Sequence, residues 1–176
     1  MKTAALFSLV LAALAATAPA TRAQEATVPE PAMTFSAMAD IVKALDPDAT
    51  VSAGGIGLTI GNVPVTIVAD AQANRMRILV PIASVAGLSE ADLLRLMQAN
   101  FDTALDARYA VANERLWSVY IHPLAELERS QFVSGLAQTV TLARNYGGTY
   151  SSGGAIFGGG DSGALYRELL DRSEEL

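Results

Sequence analysis

The sequence predicts an α+β domain, an antiparallel sheet with helices packed on it, in the order α-β-β-β-α-β-β-α. Three observations predict it. Between residues 50 and 82 the chain breaks into short β-branched and aliphatic runs separated by Gly and Asn, which is the pattern of a meander. Residues 107–121 repeat the strand alternation after a gap. Helical spacing of apolar residues occurs before, between and after these strands.

The first helix is "TFSAMADIVKAL", with Phe35, Met38, Ile41, Val42 and Leu45 on one stripe, and Asp46-Pro47 stops it. "TVSA" is either the end of a strand or a loop. "GLTI" and "PVTIVAD" flank Gly61-Asn62, a pair that tolerates the positive φ of a hairpin turn. "AQAN" connects to "NRMRILVPI", where Met76, Ile78 and Val80 alternate with Arg75, Arg77 and Leu79. Gly55-Ile56-Gly57 opens a G-x-G pattern, but Ile60 stands where a dinucleotide loop needs its third glycine, and Gly61 comes one residue late. Strands surround these glycines and no helix follows for more than two dozen residues, so they are turn residues.

The second helix starts at Ser89, a cap with Asp92 in a variant capping box and Leu88 with Leu93 as a staple. Leu93, Leu94, Leu96, Met97, Phe101 and Leu105 cover more than a narrow stripe, so the helix meets its own sheet on one side and a second surface on another. "ARYAVANERLWSVYI" is a hairpin turning at Asn113-Glu114, with Trp117, Val119 and Ile121 on one face and Leu116, Ser118 and Tyr120 on the other. His122-Pro123 breaks the strand. A helix over about 125–146 follows, with Leu127, Phe132, Leu136, Val140 and Ala143 as its buried line, ended by Gly147-Gly148.

The flanking segments read differently. Lys2 and the apolar run 4–18, followed by "APA" and "TRA", form a secretory signal peptide over 1–23, cut after Ala20 or Ala23. The run is short and alanine-rich against the roughly 20 apolar residues of a membrane span, so no membrane span is expected after cleavage. Residues 24–32 are a Pro/Glu-bearing flexible lead-in to a domain over 33–146. Residues 147–163 hold eight glycines and read as a mobile linker. Residues 164–176 form a short tail that can be helical, with nothing obvious to pack on.

Composition narrows the chemistry. Of 176 residues none is cysteine and one is histidine, His122, which excludes disulfides, thiolate chemistry and His-cluster metal sites. Loss of Lys2 and Arg22 with the signal leaves 10 basic residues against 18 acidic ones, a formal charge of −8. No basic patch offers a nucleic acid or an anionic membrane a footprint. No serine lies in a G-x-S-x-G setting. Asp46 with Asp48, Asp102 with Asp106 and Glu126 with Glu128 are acid pairs without the ligand count of a calcium loop. Asp102 and Asp106, four apart, would share a helix face. Trp117, Tyr120 and Tyr109 are read first as cross-strand packing and second as a binding surface.

Residues 93–140, "LLRLMQANFDTALDARYAVANERLWSVYIHPLAELERSQFVSGLAQTV", carry a resemblance. The second helix ends in an "L-x-x-N" pattern with Met97 in the Leu-type place and Asn100 as the Asn. The strands "RYAV" and "LWSVYIHPL" and a last helix follow, and "GLTIGNVPVTIVADAQANRMRILVPI" suits the meander. The chain resembles the type III secretion chaperone family, the Tir chaperone (CesT-type) proteins, and the related YbjN-type domains. That resemblance implies a homodimer that binds a protein or peptide client through apolar surface, with no cofactor, metal or catalytic residue. It implies a dimer interface at the second helix and neighbouring hairpin, hence Leu94, Met97, Phe101 and Tyr120. It implies client contact at the first helix and the meander, hence Phe35, Met38 and Val42. Secretion chaperones work in the cytoplasm, whereas this chain carries an export signal, so the YbjN-type relatives suit it better. The glycine-rich tail is additional to the family pattern.

The expected function is that of an exported, periplasmic or secreted, non-enzymatic protein-binding or chaperone-like domain. The alternatives are a small periplasmic hydrolase or lyase using Asp102, Asp106 or His122, and an envelope-associated structural subunit tethered by its tail.

Overall fold

Thr34 opens the first helix by accepting a hydrogen bond from Ala37 N–H at 3.1 Å. The computed structural model describes residues 30–152 and 162–174, so the signal segment and residues 153–161 of the glycine-rich stretch lie outside the described residues. Helix α1 spans Phe35–Leu45 and buries Met38, Ile41, Val42 and Leu45, as its stripe dictates. Strands β1 (Thr50–Ser52), β2 (Gly55–Ile60), β3 (Val63–Asp70) and β4 (Arg75–Ser84) form the meander. Helix α2 (Glu90–Asp102) then leads to β5 (Arg108–Ala112) and β6 (Arg115–His122), and α3 (Arg129–Arg144) and α4 (Gly163–Glu174) complete the chain.

All six strands pair antiparallel in the order β1-β2-β3-β4-β6-β5. Both expected hairpin turns form, with positive φ at Gly61 and Asn62 and at Asn113 and Glu114. The register aligns Ile56, Ile67, Ile78 and Tyr120 across four strands. Every buried strand side chain lies on that one face, where α1 and α3 supply the opposing core. A smaller cluster of Leu96, Ala99, Ala107, Tyr109, Leu116 and Leu142 lies where α2 meets the β5–β6 hairpin. The other face carries Leu79, Pro81, Trp117, Val119 and Ile121.

The chain departs from the sequence expectations in three places. First, α3 begins at Arg129, not near 125. Glu128 and Gln131 form its capping box, and residues 124–127 make a turn held by Asn74. That asparagine, at positive φ in the β3–β4 turn, accepts from Ala125 N–H and donates to Glu126, both at 2.8 Å. Leu127 is buried ahead of the helix, and Ala143 is only partly buried. Second, the tail has a packing partner. Helix α4 lies on α3 and α1, with Leu169 fully buried in the main core. Arg172 donates to the Leu45 carbonyl at the end of α1, and Arg129 to the Ser173 carbonyl. Third, the start of the glycine-rich stretch is fastened to the domain. Thr103 Oγ1 donates to the Tyr150 carbonyl at 2.9 Å, and buried Ser152 Oγ accepts from Leu105 N–H at 2.6 Å. The Tyr150 ring meets Tyr109 and Tyr146 edge-on, with Arg95 over it at 5.0 Å.

No helix among the described residues is long and apolar enough to cross a membrane.

Candidate functional site

Helix α2 is the least covered helix of the domain. Its start is fixed by the capping box: Asp92 N–H donates to Ser89 Oγ at 3.2 Å and Ser89 N–H to Asp92 Oδ2 at 2.8 Å. The hydrogen bonds from the Ser89 side chain and backbone hold the Asp92 carboxyl below its ordinary range. Only Leu96 and Ala99 face inward. Leu94 is 60% exposed, Met97 57% and Phe101 89%. With Leu93 they form a continuous apolar ridge, because steps of four residues share a helix face. Beside the ridge an apolar groove of about 250 Å³ runs between α2 and β5, lined by Leu93, Leu96, Met97, Tyr109, Val111 and Leu116.

The groove borders a sheet edge, β5. Asn100 covers part of that edge: its Nδ2 donates to the Tyr109 carbonyl at 3.1 Å and its Oδ1 accepts from Tyr109 N–H at 2.7 Å. One side-chain amide thus replaces a neighbouring strand at Tyr109. One step earlier, Gln138 Oε1 accepts from Ala107 N–H at 3.2 Å. One step later, Val111 presents the same outward backbone groups without such a cover among the described residues. The asparagine that ends the "L-x-x-N" pattern therefore protects a sheet edge, a role that its place in the sequence does not disclose.

The expected site residues fall in separate places. Leu94, Met97 and Phe101 share the α2 ridge. Tyr120, expected with them, is 5% exposed and lies in the main core beneath α3. A Cβ on Gly135 would stand 2.8 Å from its ring, so Tyr120 cannot belong to an interface on α2. Met38 and Val42 are fully buried on the inner face of α1 and cannot touch a client while the core is closed; Phe35 is partly exposed at its edge. The apolar stripe of α1 is consumed by its own sheet. Trp117 lies on the uncovered sheet face, opposite Tyr109 and Tyr120.

The carboxylates separate as well. Helix α2 ends at Asp102, so Asp106 lies beyond it, in the turn before β5, and the two do not share a helix face. Asp46 is occupied as a loop brace, accepting from Asp48 N–H at 3.0 Å and Thr59 N–H at 2.8 Å. Asp106 instead lines a cleft of about 500 Å³ with Tyr120, His122, Ser130, Ser134, Gln138 and Tyr166. His122 stacks on Tyr120 with ring centroids 6.1 Å apart, and its Nδ1 lies 2.8 Å from the Pro123 carbonyl. A carbonyl only accepts, so that nitrogen carries a proton and donates it to the contact. Among the described residues His122 caps no helix, and no hydroxyl is hydrogen-bonded to its ring. Burial first, and the Asp106 charge second, push the Tyr120 phenol up to about 12. Among the described residues no group of three or more metal-ligating side chains converges.

No family model matches the chain, and no curated protein matches it. Solved structures are similar to it in fold. The ExsC–ExsE complex is similar at 18% identity and a TM-score of 0.42, over 51% of this chain and 71% of that one. The Yersinia pestis type III secretion chaperone SycH, in complex with a stable fragment of YscM2, is similar at 15% identity and 0.49, over 64% and 98%. The HopA1–SchA chaperone–effector complex is similar at 12% and 0.46, over 62% and 95%. The fold of this chain is α+β, an antiparallel six-stranded sheet with helices packed on one face.

Proposed function

We propose that the chain is an exported, non-enzymatic, chaperone-like protein that binds polypeptide through apolar surface and works as a homodimer. One observation carries this reading: after closing its core, the domain leaves one apolar surface exposed and a second only partly covered. These are the α2 ridge of Leu94, Met97 and Phe101 and the sheet face of Leu79, Pro81, Trp117, Val119 and Ile121. Apolar patches of this kind mark contact with other polypeptide. The convex ridge suits pairing with a second copy, and the broad sheet face suits an extended or helical client segment. Export rests on residues 1–23, which lie outside the described residues; sequencing the mature N-terminus should give Thr21 or Gln24.

A catalytic reading has less support. Asp102 does not line the cleft that holds Asp106 and His122, and among the described residues no hydroxyl is hydrogen-bonded to the imidazole. The tail that a tethered subunit would use is spent on its own core through Leu169.

The sheet face carries its own reporter, because Trp117 is the one tryptophan of the chain. A reduced, alkylated polypeptide with apolar segments should shift Trp117 fluorescence to shorter wavelength. Val119→Lys should abolish the shift while leaving the melt intact. Binding that survives Val119→Lys moves the client to another surface. Light scattering tests the pairing. Burying a Leu or Met side chain is worth about 1.5–3 kcal/mol, and a two-fold interface counts each residue twice. Leu94→Glu should therefore give a folded monomer. A wild-type protein that stays monomeric at high concentration refutes the pairing.

A further inference from the structure

The cleft between the end of β6, the first half of α3 and α4 has a composition that neither packing nor the apolar surfaces explain. Its walls bring together one carboxylate (Asp106), two phenols (Tyr120 and Tyr166), the imidazole of His122 and the polar side chains of Ser134 and Gln138. The carboxylate is oriented. Buried Gln138 accepts from the backbone N–H groups of Asp106 and Ala107 and donates to Asp106 Oδ2 at 3.2 Å and to Ser134 Oγ at 3.1 Å. Asp106 is exposed, and the bond from Gln138 favours one position of its carboxylate before any ligand arrives.

Tyr120 supplies an independent observation. It is 5% exposed, lines the cleft, and its hydroxyl has no hydrogen-bond partner among the described residues. The hydroxyl is not sealed from solvent; among the described residues, the buried side-chain polar atoms without a partner are Ser118 Oγ and Arg129 Nε. Its remaining accessible surface therefore opens into the cleft. A hydroxyl that opens into the cleft with no protein partner among the described residues is free to take a ligand's hydrogen bond beside the carboxylate.

The charge of the wall selects the ligand. Asp106 is the only carboxylate in it, and no lysine or arginine lines the cleft, so an anion finds no fixed counter-charge. A single carboxylate falls short of the ligand set that calcium or magnesium needs. Phenol and imidazole faces beside a carboxylate suit a cation with N–H donors, which gains a charge-assisted hydrogen bond and ring contacts together. We propose that this cleft binds an organic cation, an alkylammonium or guanidinium group, with Asp106 as counter-ion and Tyr120 and Tyr166 as flanking rings. That group can arrive as a free amine or as the Lys or Arg side chain of a polypeptide.

Calorimetric titration of the mature protein with agmatine, with the peptide Gly-Gly-Arg-Gly-Gly-amide and with sorbitol tests the assignment and separates the two sources. Agmatine binding alone supports a free amine; binding of the peptide at equal or better affinity supports a side chain. Asp106→Asn is isosteric and keeps an acceptor for Gln138, and it should weaken the cation about tenfold or more, the scale of a lost charge-assisted bond. Tyr120→Phe should weaken it several-fold with the melt unchanged. Sorbitol binding as well as agmatine, Asp106→Asn leaving the affinity intact, or no heat from either cation up to about 10 mM would each overturn the proposal.

Discussion

Alanine at Gly135 sets two effects of known sign against each other. Gly135 lies inside α3, where alanine ordinarily stabilises a helix by roughly 0.5–1 kcal/mol over glycine. In this structure the new methyl would stand 2.8 Å from Cδ1 and from Cε1 of Tyr120 and 3.1 Å from Cγ. Carbon atoms in favourable contact lie about 3.5–4.0 Å apart, so helix or ring must give by most of an ångström. The ring has little room, because Tyr120 is buried on a central strand between Ile78 and the stacked His122. Overpacking of this kind costs about 1–3 kcal/mol, which outweighs the helical gain. Gly135→Ala should therefore destabilise the domain by about 1–2 kcal/mol in urea unfolding. In the Tyr120→Leu background, which removes the ring, the same change should cost less or turn favourable. That coupling is what a double-mutant cycle measures. Should Gly135→Ala prove stabilising in the wild-type background, α3 does not approach β6 as closely as described, and the cleft beside Tyr120 changes shape with it.

Other consequences are as direct. Leu169→Ala should cost about 2–5 kcal/mol, as for a fully buried leucine, by chemical denaturation; a loss under about 1 kcal/mol, the range of surface sites, means that α4 is not docked. Asn100→Ala removes both hydrogen bonds to Tyr109 and should cost about 1–3 kcal/mol. Asn100→Asp should behave differently with pH. Its ionised carboxylate would face the Tyr109 carbonyl, which raises its folded-state pKa. Its stability should thus be fullest below the unfolded carboxyl pKa and fall as pH rises through the folded value. A flat pH profile relative to wild type shows that Asn100 does not bridge the strand edge.

Local chemistry made most of the fold legible. The alternation of Met76, Ile78 and Val80, the Ser89–Asp92 box and the Asn113-Glu114 turn are short-range features, and each forms as its residues dictate. What was not legible depends on partners distant in sequence. The start of α3 is set by Asn74, some fifty residues earlier, which holds residues 124–126 in a turn before the helix can begin. The value of α4 depends on a slot made by α1 and α3, which "ALYRELLDRSEEL" does not announce. The surface residues show the same limit. A stripe at 38 and 42 looks the same whether it faces a core or a client, and only the sheet beneath it decides. Leu94, Met97 and Phe101 stood out because α2 has more apolar residues than one sheet contact can cover. The polar cleft was invisible because Asp106, Tyr120, Gln138 and Tyr166 come from four different elements.

The edge of β5 shows how such a surface stays selective. An exposed edge strand next to an apolar groove invites indiscriminate pairing. Here Gln138 covers the edge at Ala107 and Asn100 covers it at Tyr109, so only the last turn of the strand, at Val111, is open to another backbone. A partner strand cannot add along the whole edge without first displacing two buried or half-buried amides, and each lost bond costs on the order of 1 kcal/mol. A helix resting on the ridge of Leu94, Met97 and Phe101 displaces neither. The covered edge thus biases association at this site toward helix-on-helix contact, the geometry of a two-fold pairing of α2. Association that grows on Asn100→Ala, and that proceeds beyond dimers in light scattering, is the outcome this account requires.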